Sequence, residues 1–278
     1  MNKISIEKQV QVITALVEGN SIRATCRMTG TAKGTVTRLL TSVGKACALY
    51  QDKTLINLNS KHIQCDEIWS FCYAKQKNVP ENKQGKFGYG DVWTWVALDA
   101  DTKLCVSFLV GLRNIECATH FINDAKDRLL NRIQLTTDGN KAYLNTVEDA
   151  FGIDIDYAML NKLYGKESEG EKRYSPAICL GTEKQIIRGN PDDKFISTSF
   201  VERQNLTMRM SMRRFTRLTN AFSKKIENLE YAVALHFMYY NFARPHKTLA
   251  NPYPRTPAMA SGITNRIWSV EDIVKLAK

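Results

Sequence analysis

From His62 onward the hydrophobic pattern shifts from a helical to a strand period. The order in which the two periods then alternate constrains the fold more than any other feature of the chain. His62–Tyr73, Asp91–Leu98 and Leu104–Leu109 are short stretches rich in Val, Ile, Trp, Phe and Tyr, the composition of strands. No helical pattern separates them: a glycine-bearing loop, Asn78–Gly90, joins the first two and a turn at Asp99–Thr102 joins the next. An amphipathic segment over Glu116–Leu130 follows, then a fourth apolar run at Ile133–Thr137, a helical pattern over Lys141–Phe151 and a fifth run at Ile153–Met159. Three strands, then helix, strand, helix and strand, predict an α/β domain built on a mixed five-stranded sheet flanked by helices.

The first fifty residues read differently. Ser5–Glu18 carries Ile6, Val10, Ile13 and Val17 at helical spacing, and Gly19-Asn20 stops it. Ser21 caps a short helix reaching Met28, Thr29-Gly30-Thr31 makes a turn, and a third helix runs from about Ala32 to Ala48. This is the helix-turn-helix pattern, and it predicts an all-α domain over residues 1–52. The α/β domain then spans 60–250, with the polar, glycine-bearing stretch at about 160–195 read as a loop-rich insertion. Ser199–Arg217 reads as a strongly basic helix or pair of turns, and Glu227–Ala243 as a long apolar helix ended by Arg244-Pro245. Residues 251–278 hold three of the seven prolines and are expected to wrap the surface as a C-terminal tail.

Charge narrows the function. Lys and Arg number 39 against 28 Asp and Glu, a formal net charge of +11. Such an excess points to a polyanion, nucleic acid or an anionic membrane surface. No apolar run is long enough to span a bilayer, and the N-terminus, with Lys3, Glu7 and Lys8, lacks a signal-peptide core, so a cytoplasmic protein is expected. The seven cysteines are scattered and form no C-x-x-C pair, which argues against a zinc ribbon or a disulfide framework. No G-x-x-x-x-G-K-[ST] motif is present, so no ATP step is implied. The first fifty residues carry seven Lys/Arg against two Glu. A recognition helix reads bases with its N-terminal residues, which makes Lys33, Thr35 and Arg38 the expected DNA contacts.

Three carboxylates stand out. Asp66 lies inside the first strand, where a buried carboxylate is costly unless it is paired or bound to a cation. Asp138 ends the fourth strand just before Gly139, the kind of place where α/β sheets hold ligands. Glu202 begins the basic segment; on a helix, Leu206, Arg209 and Arg213 would share its face. Three converging carboxylates make a hard oxygen site suited to Mg²⁺. Two such ions suit phosphodiester chemistry. Arg209 would face a DNA phosphate beside them, and Arg213 would extend a basic track with Arg203, Arg214 and Arg217. His246 reads either as a helix-end cap or as a group that touches DNA or orients a water at the metals. Glu67 rivals Asp66. Strand neighbours point to opposite faces, so one of the two is expected to face the metals and Glu67 is read as a partner for a basic side chain. Trp69, Phe71, Tyr73, Trp93 and Trp95 are read as sheet core, and Asp99 and Asp101 as turn residues.

Taken together, Cys65-Asp66-Glu67-Ile68-Trp69-Ser70, Thr137-Asp138-Gly139-Asn140-Lys141-Ala142-Tyr143 and Ser199-Phe200-Val201-Glu202-Arg203-Gln204-Asn205 through Arg209 resemble the DDE transposases of bacterial insertion sequences, most closely the insertion-sequence-one type. The Tyr240-Asn241-Phe242 to Arg244-Pro245-His246 ending also resembles transposases and integrases, so the resemblance covers roughly Ser5 to His246. It implies a ribonuclease-H-like catalytic domain in which Asp66, Asp138 and Glu202 bind two Mg²⁺, with Mn²⁺ able to substitute. It also implies hydrolysis at the element's end, attack of the exposed 3′-hydroxyl on target DNA, double-stranded transposon-end and target DNA as partners, at least a homodimer on DNA, and a place at the bacterial nucleoid. The chain departs from the type in lacking the cysteines of an N-terminal zinc finger. A catalytically decayed DNA-binding regulator and a ribonuclease-H-fold nuclease without strand transfer remain as alternatives.

Overall fold

The computed structural model describes residues 4–165, 179–216 and 220–278. Its centre is a mixed sheet. β1 (His62–Cys72), β2 (Gly90–Asp99) and β3 (Cys105–Gly111) form an antiparallel meander. β4 (Ile133–Asp138) and β5 (Ile155–Tyr164) lie parallel to β1 on its other side, and β6 (Cys179–Arg188) runs antiparallel to β5. The spatial order is β3-β2-β1-β4-β5-β6.

Among the described residues the sheet therefore has six strands and not the expected five, and the sixth falls inside the stretch read as a loop-rich insertion. The reason is physical. The residues of β6 are exposed or half-exposed on both faces, so the strand carries no alternation of apolar and polar residues. It is held by main-chain pairing to β5, which leaves no trace in side-chain pattern. Residues 166–178 of that stretch and Arg217 of the basic track lie outside the described residues.

Helices cover both faces. α4 (Ile115–Asp127) and α5 (Ala142–Phe151) pack on the face that carries Trp95, whose ring meets Phe121 at 5.8 Å and Tyr143 at 5.5 Å. α6 (Ser199–Ser211) and α7 (Ile226–Met238) pack on the opposite face, where Phe108 of β3 stacks on Phe237 of α7 at 4.9 Å. The apolar helix expected to run to Ala243 stops at Met238 and widens into a π-turn over Tyr239–Ala243. That turn lets the buried Asn241 amide pair with both the N–H and the carbonyl of Cys105, each at 3.0 Å, as a neighbouring strand would.

At the N-terminus α1 (Ile6–Val17) is capped by Ser5 and α2 (Ile22–Thr29) by Ser21, and Gly30 takes the left-handed conformation at the end of α2. α3 (Lys33–Thr54) runs six residues past its expected end. Gln51 is buried there and donates to Ala234 O of α7, while Arg128 bonds Asp52, Asp124 and the carbonyls of Gln51 and Leu55. α3 and α7 cross almost in backbone contact at Gly44, where a Cβ would collide with the carbonyl oxygen of Tyr231. Ile13, Leu40 and Val43 of this region belong to one continuous apolar core with Ile63, Trp95 and Phe237.

The C-terminal residues do not merely wrap the surface. α8 (Pro257–Ala260) and α9 (Val270–Lys275) are short, but Ile273 and Val274 are buried and Trp268 packs against Tyr50 at 5.1 Å and Phe242 at 5.2 Å. One buried pair and a half-buried tryptophan in a proline-bearing stretch make no periodic signal, although each large side chain removes apolar area from water. Among the described residues no helix is long and apolar enough to cross a membrane.

Candidate active site

β1 pairs with β4 only from His62 to Cys65, because β4 ends at Asp138. Beyond Cys65 that edge of β1 opens into a notch, and the acidic residues gather around it. Asp66 Oδ1 accepts from the amide of Glu67 and Oδ2 from Asn205 Nδ2 of α6, both at 2.8 Å. Asp138 Oδ1 accepts from Asn140 N at 3.1 Å, a local turn that fixes the carboxylate at the strand end.

Glu67 corrects the expectation that one of the two adjacent acids faces the site. Carboxylate oxygens of Asp66, Glu67 and Asp138 lie within 4.8 Å of one another. The strand-face argument fails because β1, still paired with β2, has lost β4 along its other edge, and carboxylates from both of its faces come together past the end of β4. The expectation that Glu67 pairs with a basic group holds as well: its side chain, 1% exposed, lies 3.6 Å from Arg113, which is also 3.6 Å from Asp138, and Glu67 accepts from Asn140 at 2.5 Å.

Glu202 faces this cluster across a cleft of about 560 Å³, lined also by Lys162, Asn205 and Arg209. One oxygen of Glu202 is 2.5 Å from Lys162 Nζ on β5 and the other accepts from Thr198. Cations thus contact both sides of the cleft, Arg113 at Glu67 and Asp138, Lys162 at Glu202.

Burial, and then the charge of Asp138, push Asp66 up to about 7. The same two causes in the same order raise Glu67 to about 7, and burial raises Asp138. Carboxylates this close ionise together only against added positive charge. The donor set is all oxygen, which fits a hard divalent ion, and the buried Asn205 Oδ1 has no hydrogen-bond partner among the described residues.

The helix that carries Glu202 is set by β1. Thr198 makes no capping bond to α6; instead the buried Gln64 side chain, two residues before Asp66, accepts from Phe200 N at 2.9 Å and Val201 N at 3.1 Å. Together with Asn205 to Asp66, this ties strand to helix at two points and holds Glu202 in register. Gln64→Leu removes the acceptor and leaves two helix-end amides without it. Thermal unfolding should show a loss of about 1–2 kcal/mol. Divalent-metal affinity should fall with it; a full loss of stability with unchanged metal affinity would make the contact purely structural.

Of the residues expected at the site, Asp66, Asp138, Glu202 and Arg209 line one cleft. Arg213 does not share the face of Glu202, because α6 ends at Ser211 and Arg213 is exposed in the short turn that follows. His246 is not among the lining residues; it precedes the turn Lys247–Leu249 and bonds Thr248 at 2.9 Å. Lys33 and Arg38 lie in the first turns of α3, with Thr35 within 3.4 Å of the Arg38 guanidinium. Sequence reasoning missed Gln64, Arg113 and Lys162, single polar residues with no local pattern, and it quoted Asn140 and Asn205 only as motif neighbours.

No family model and no curated protein matches the sequence. Among solved structures, the piggyBac transposase synaptic complex with hairpin DNA aligns over 100% of this chain and 72% of that one, at 10% identity and a TM-score of 0.41. The Mos1 transposase paired-end complex with left transposon end aligns over 56% of this chain and 60% of that one, at 10% identity and a TM-score of 0.24. The Mos1 strand transfer complex aligns over 86% and 76%, at 9% identity and a TM-score of 0.26. Alignments this loose carry no argument.

Proposed function

We propose that this chain is a DDE-type DNA transposase that cuts the ends of a mobile element and joins them to target DNA. The observation that carries the reading is the acidic cluster: three strand-borne carboxylates within 4.8 Å, facing Glu202 and Arg209 across one cleft, in a chain of net charge +11. A strongly basic protein with a focused acidic notch suits a polyanionic substrate that reacts where divalent metal collects.

Asp66, Asp138 and Glu202 would hold Mg²⁺ or Mn²⁺, with Glu67 a fourth donor that the family pattern does not include. The metal supplies activation of the attacking hydroxyl and neutralisation of the leaving oxygen. The chain's own groups do the rest. Asn205 and Asn140 orient Asp66 and Glu67 by hydrogen bonds. Gln64 keeps Glu202 opposite them. Arg113 and Lys162 would partly neutralise the acids they contact and, at the cleft wall, would attract the phosphates of DNA. Arg209 holds a further phosphate. The first turns of α3, with Lys33, Thr35 and Arg38, read the duplex from the N-terminal helices, and a basic track through Arg213 extends the footprint. Two ends must be cut and joined together, so at least two copies act on DNA.

The test is a strand-transfer assay on the full chain, with a pre-cut end bearing a 3′-hydroxyl, Mg²⁺ or Mn²⁺, and plasmid target. Joined product supports the reading. Cutting without joining assigns a nuclease, and binding without either assigns a DNA-binding regulator.

A further inference from the structure

Trp69, Phe71 and Tyr73 were expected in the sheet core, yet of the three only Phe71 is nearly covered, and Trp69 and Tyr73 are half-buried. Trp69 and Phe71 leave β1 on the same face as Glu67, two and four residues further along, so the row begins about 7 Å from the acidic cluster. Trp69 meets Phe71 at 5.8 Å, Phe71 meets Phe222 at 4.8 Å, and Tyr73 meets Tyr89 at 5.0 Å. The row thus continues from the cleft into the loop between β1 and β2.

Lysines cover these rings. Lys83 Nζ sits 4.0 Å from the centroid of Tyr73 and 4.9 Å from that of Tyr89. Lys224 Nζ sits 4.3 Å from Phe222, and the exposed Lys75 lies 6.0 Å from Phe71. A ring that serves only as core is covered by apolar groups, whereas aromatic faces shared with ammonium groups are the surface on which bases stack while phosphates are neutralised. Tyr73 adds an independent sign. It is held at φ 66, an outlier for a bulky side chain, with its amide bonded to Ser223 O at 2.8 Å. Such strain concentrates at functional surfaces.

We propose that this aromatic and lysine-bearing row is a binding site for an unpaired DNA strand leaving the acidic cleft. The proposal rests on the DNA-processing reading above and adds a second subsite to it. Bases within a duplex already stack on each other and have no faces to offer, so the row selects single-stranded DNA. The bases stack on Trp69, Tyr73, Tyr89 and Phe222, and Lys75, Lys83 and Lys224 take the phosphates. Stacking on rings is indifferent to base identity, so the site accepts any sequence at this position.

The experiment measures binding of a short oligothymidine and of a duplex of equal length to the full chain without metal, by anisotropy and by quenching of tryptophan fluorescence. The wild-type chain should bind the single strand with quenching. Trp69→Ala should weaken single-strand binding about tenfold while duplex binding changes little, and Trp69→Phe should restore most of it. The exposed pair Lys75→Glu with Lys224→Glu leaves the core untouched, so it decides the matter if Trp69→Ala does not fold; it should lower the ratio of single-strand to duplex affinity. An unchanged ratio in folded variants overturns the proposal, as does absence of quenching or a shared loss of both affinities. The readings fail separately. A chain that stacks oligothymidine but performs no strand transfer refutes the function above and keeps this surface, and strand transfer with an unchanged ratio does the reverse.

Discussion

Asp66→Asn should abolish metal-dependent cleavage and, in the metal-free chain at pH 8, raise the melting temperature by several degrees. Both outcomes follow from the same carboxylate. Burial and Asp138 lift Asp66 from 3.8 in its ordinary state to about 7 in the fold. Because the folded value is the higher one, the folded state binds the proton more tightly. Its stabilising effect is complete below pH 4, is lost as pH rises toward 7, and is absent at pH 8. A shift of that size corresponds to roughly 4 kcal/mol at most, since part of it depends on Asp138 being ionised. Asparagine carries no charge to desolvate. It can also be accommodated: Asn205 now donates to Asp66 while its own Oδ1 is buried without a partner, so rotation of the Asn205 amide would let it accept from the side-chain amide that the substitution introduces. In the unsubstituted chain, Mg²⁺ or Mn²⁺ should raise the melting temperature more at pH 8 than at pH 6, because protons and metal compete for the same oxygens. The substituted chain should lose most of that response. A fall in metal-free stability at pH 8 on substitution would mean the carboxylate is compensated by its neighbours and the acidic notch is not poised for a cation.

Arg209→Ala should reduce cleavage and strand transfer by about 100-fold, the scale of removing one charge-assisted contact to a developing or transferred phosphate. Arg209 lines the cleft seven residues after Glu202, almost two turns along the same helix. A guanidinium cannot ligate a metal, so the role proposed for it is to hold phosphate oxygens with its planar fork. Arg209→Lys should recover part of the activity by keeping the charge without the fork. Melting temperature should change little beside that loss of activity. A structural ion pair gives the opposite pattern: a lower melting temperature, and activity that returns when the assay is cooled.

The positions of the strands and helices around the site were legible in the chain because they rest on local repetition. β1 to β5 are short runs rich in apolar, β-branched and aromatic residues, α4, α5 and the three N-terminal helices bury residues at helical spacing, and Ser5, Ser21 and Gly30 mark helix ends by local geometry. Asp66 and Asp138 stood out for a related reason, since acids inside or at the ends of apolar strands call for a cation, and Glu202 stood out in a basic segment with Arg209 at helical spacing. What the chain alone did not show depends on neighbours distant in sequence. β6 is held by backbone pairing and has no apolar face. The burial of Trp268 and Ile273 needs Tyr50 and α1 to be brought beside them. The joining of Glu67 to the acidic cluster depends on where β4 stops, and the roles of Gln64, Arg113 and Lys162 depend on which strand ends meet α6. Periodicity and capping act over one or two turns and so are written locally, whereas a carboxylate's protonation and a polar side chain's partner are set by the distance and burial that only the assembled sheet and helices create.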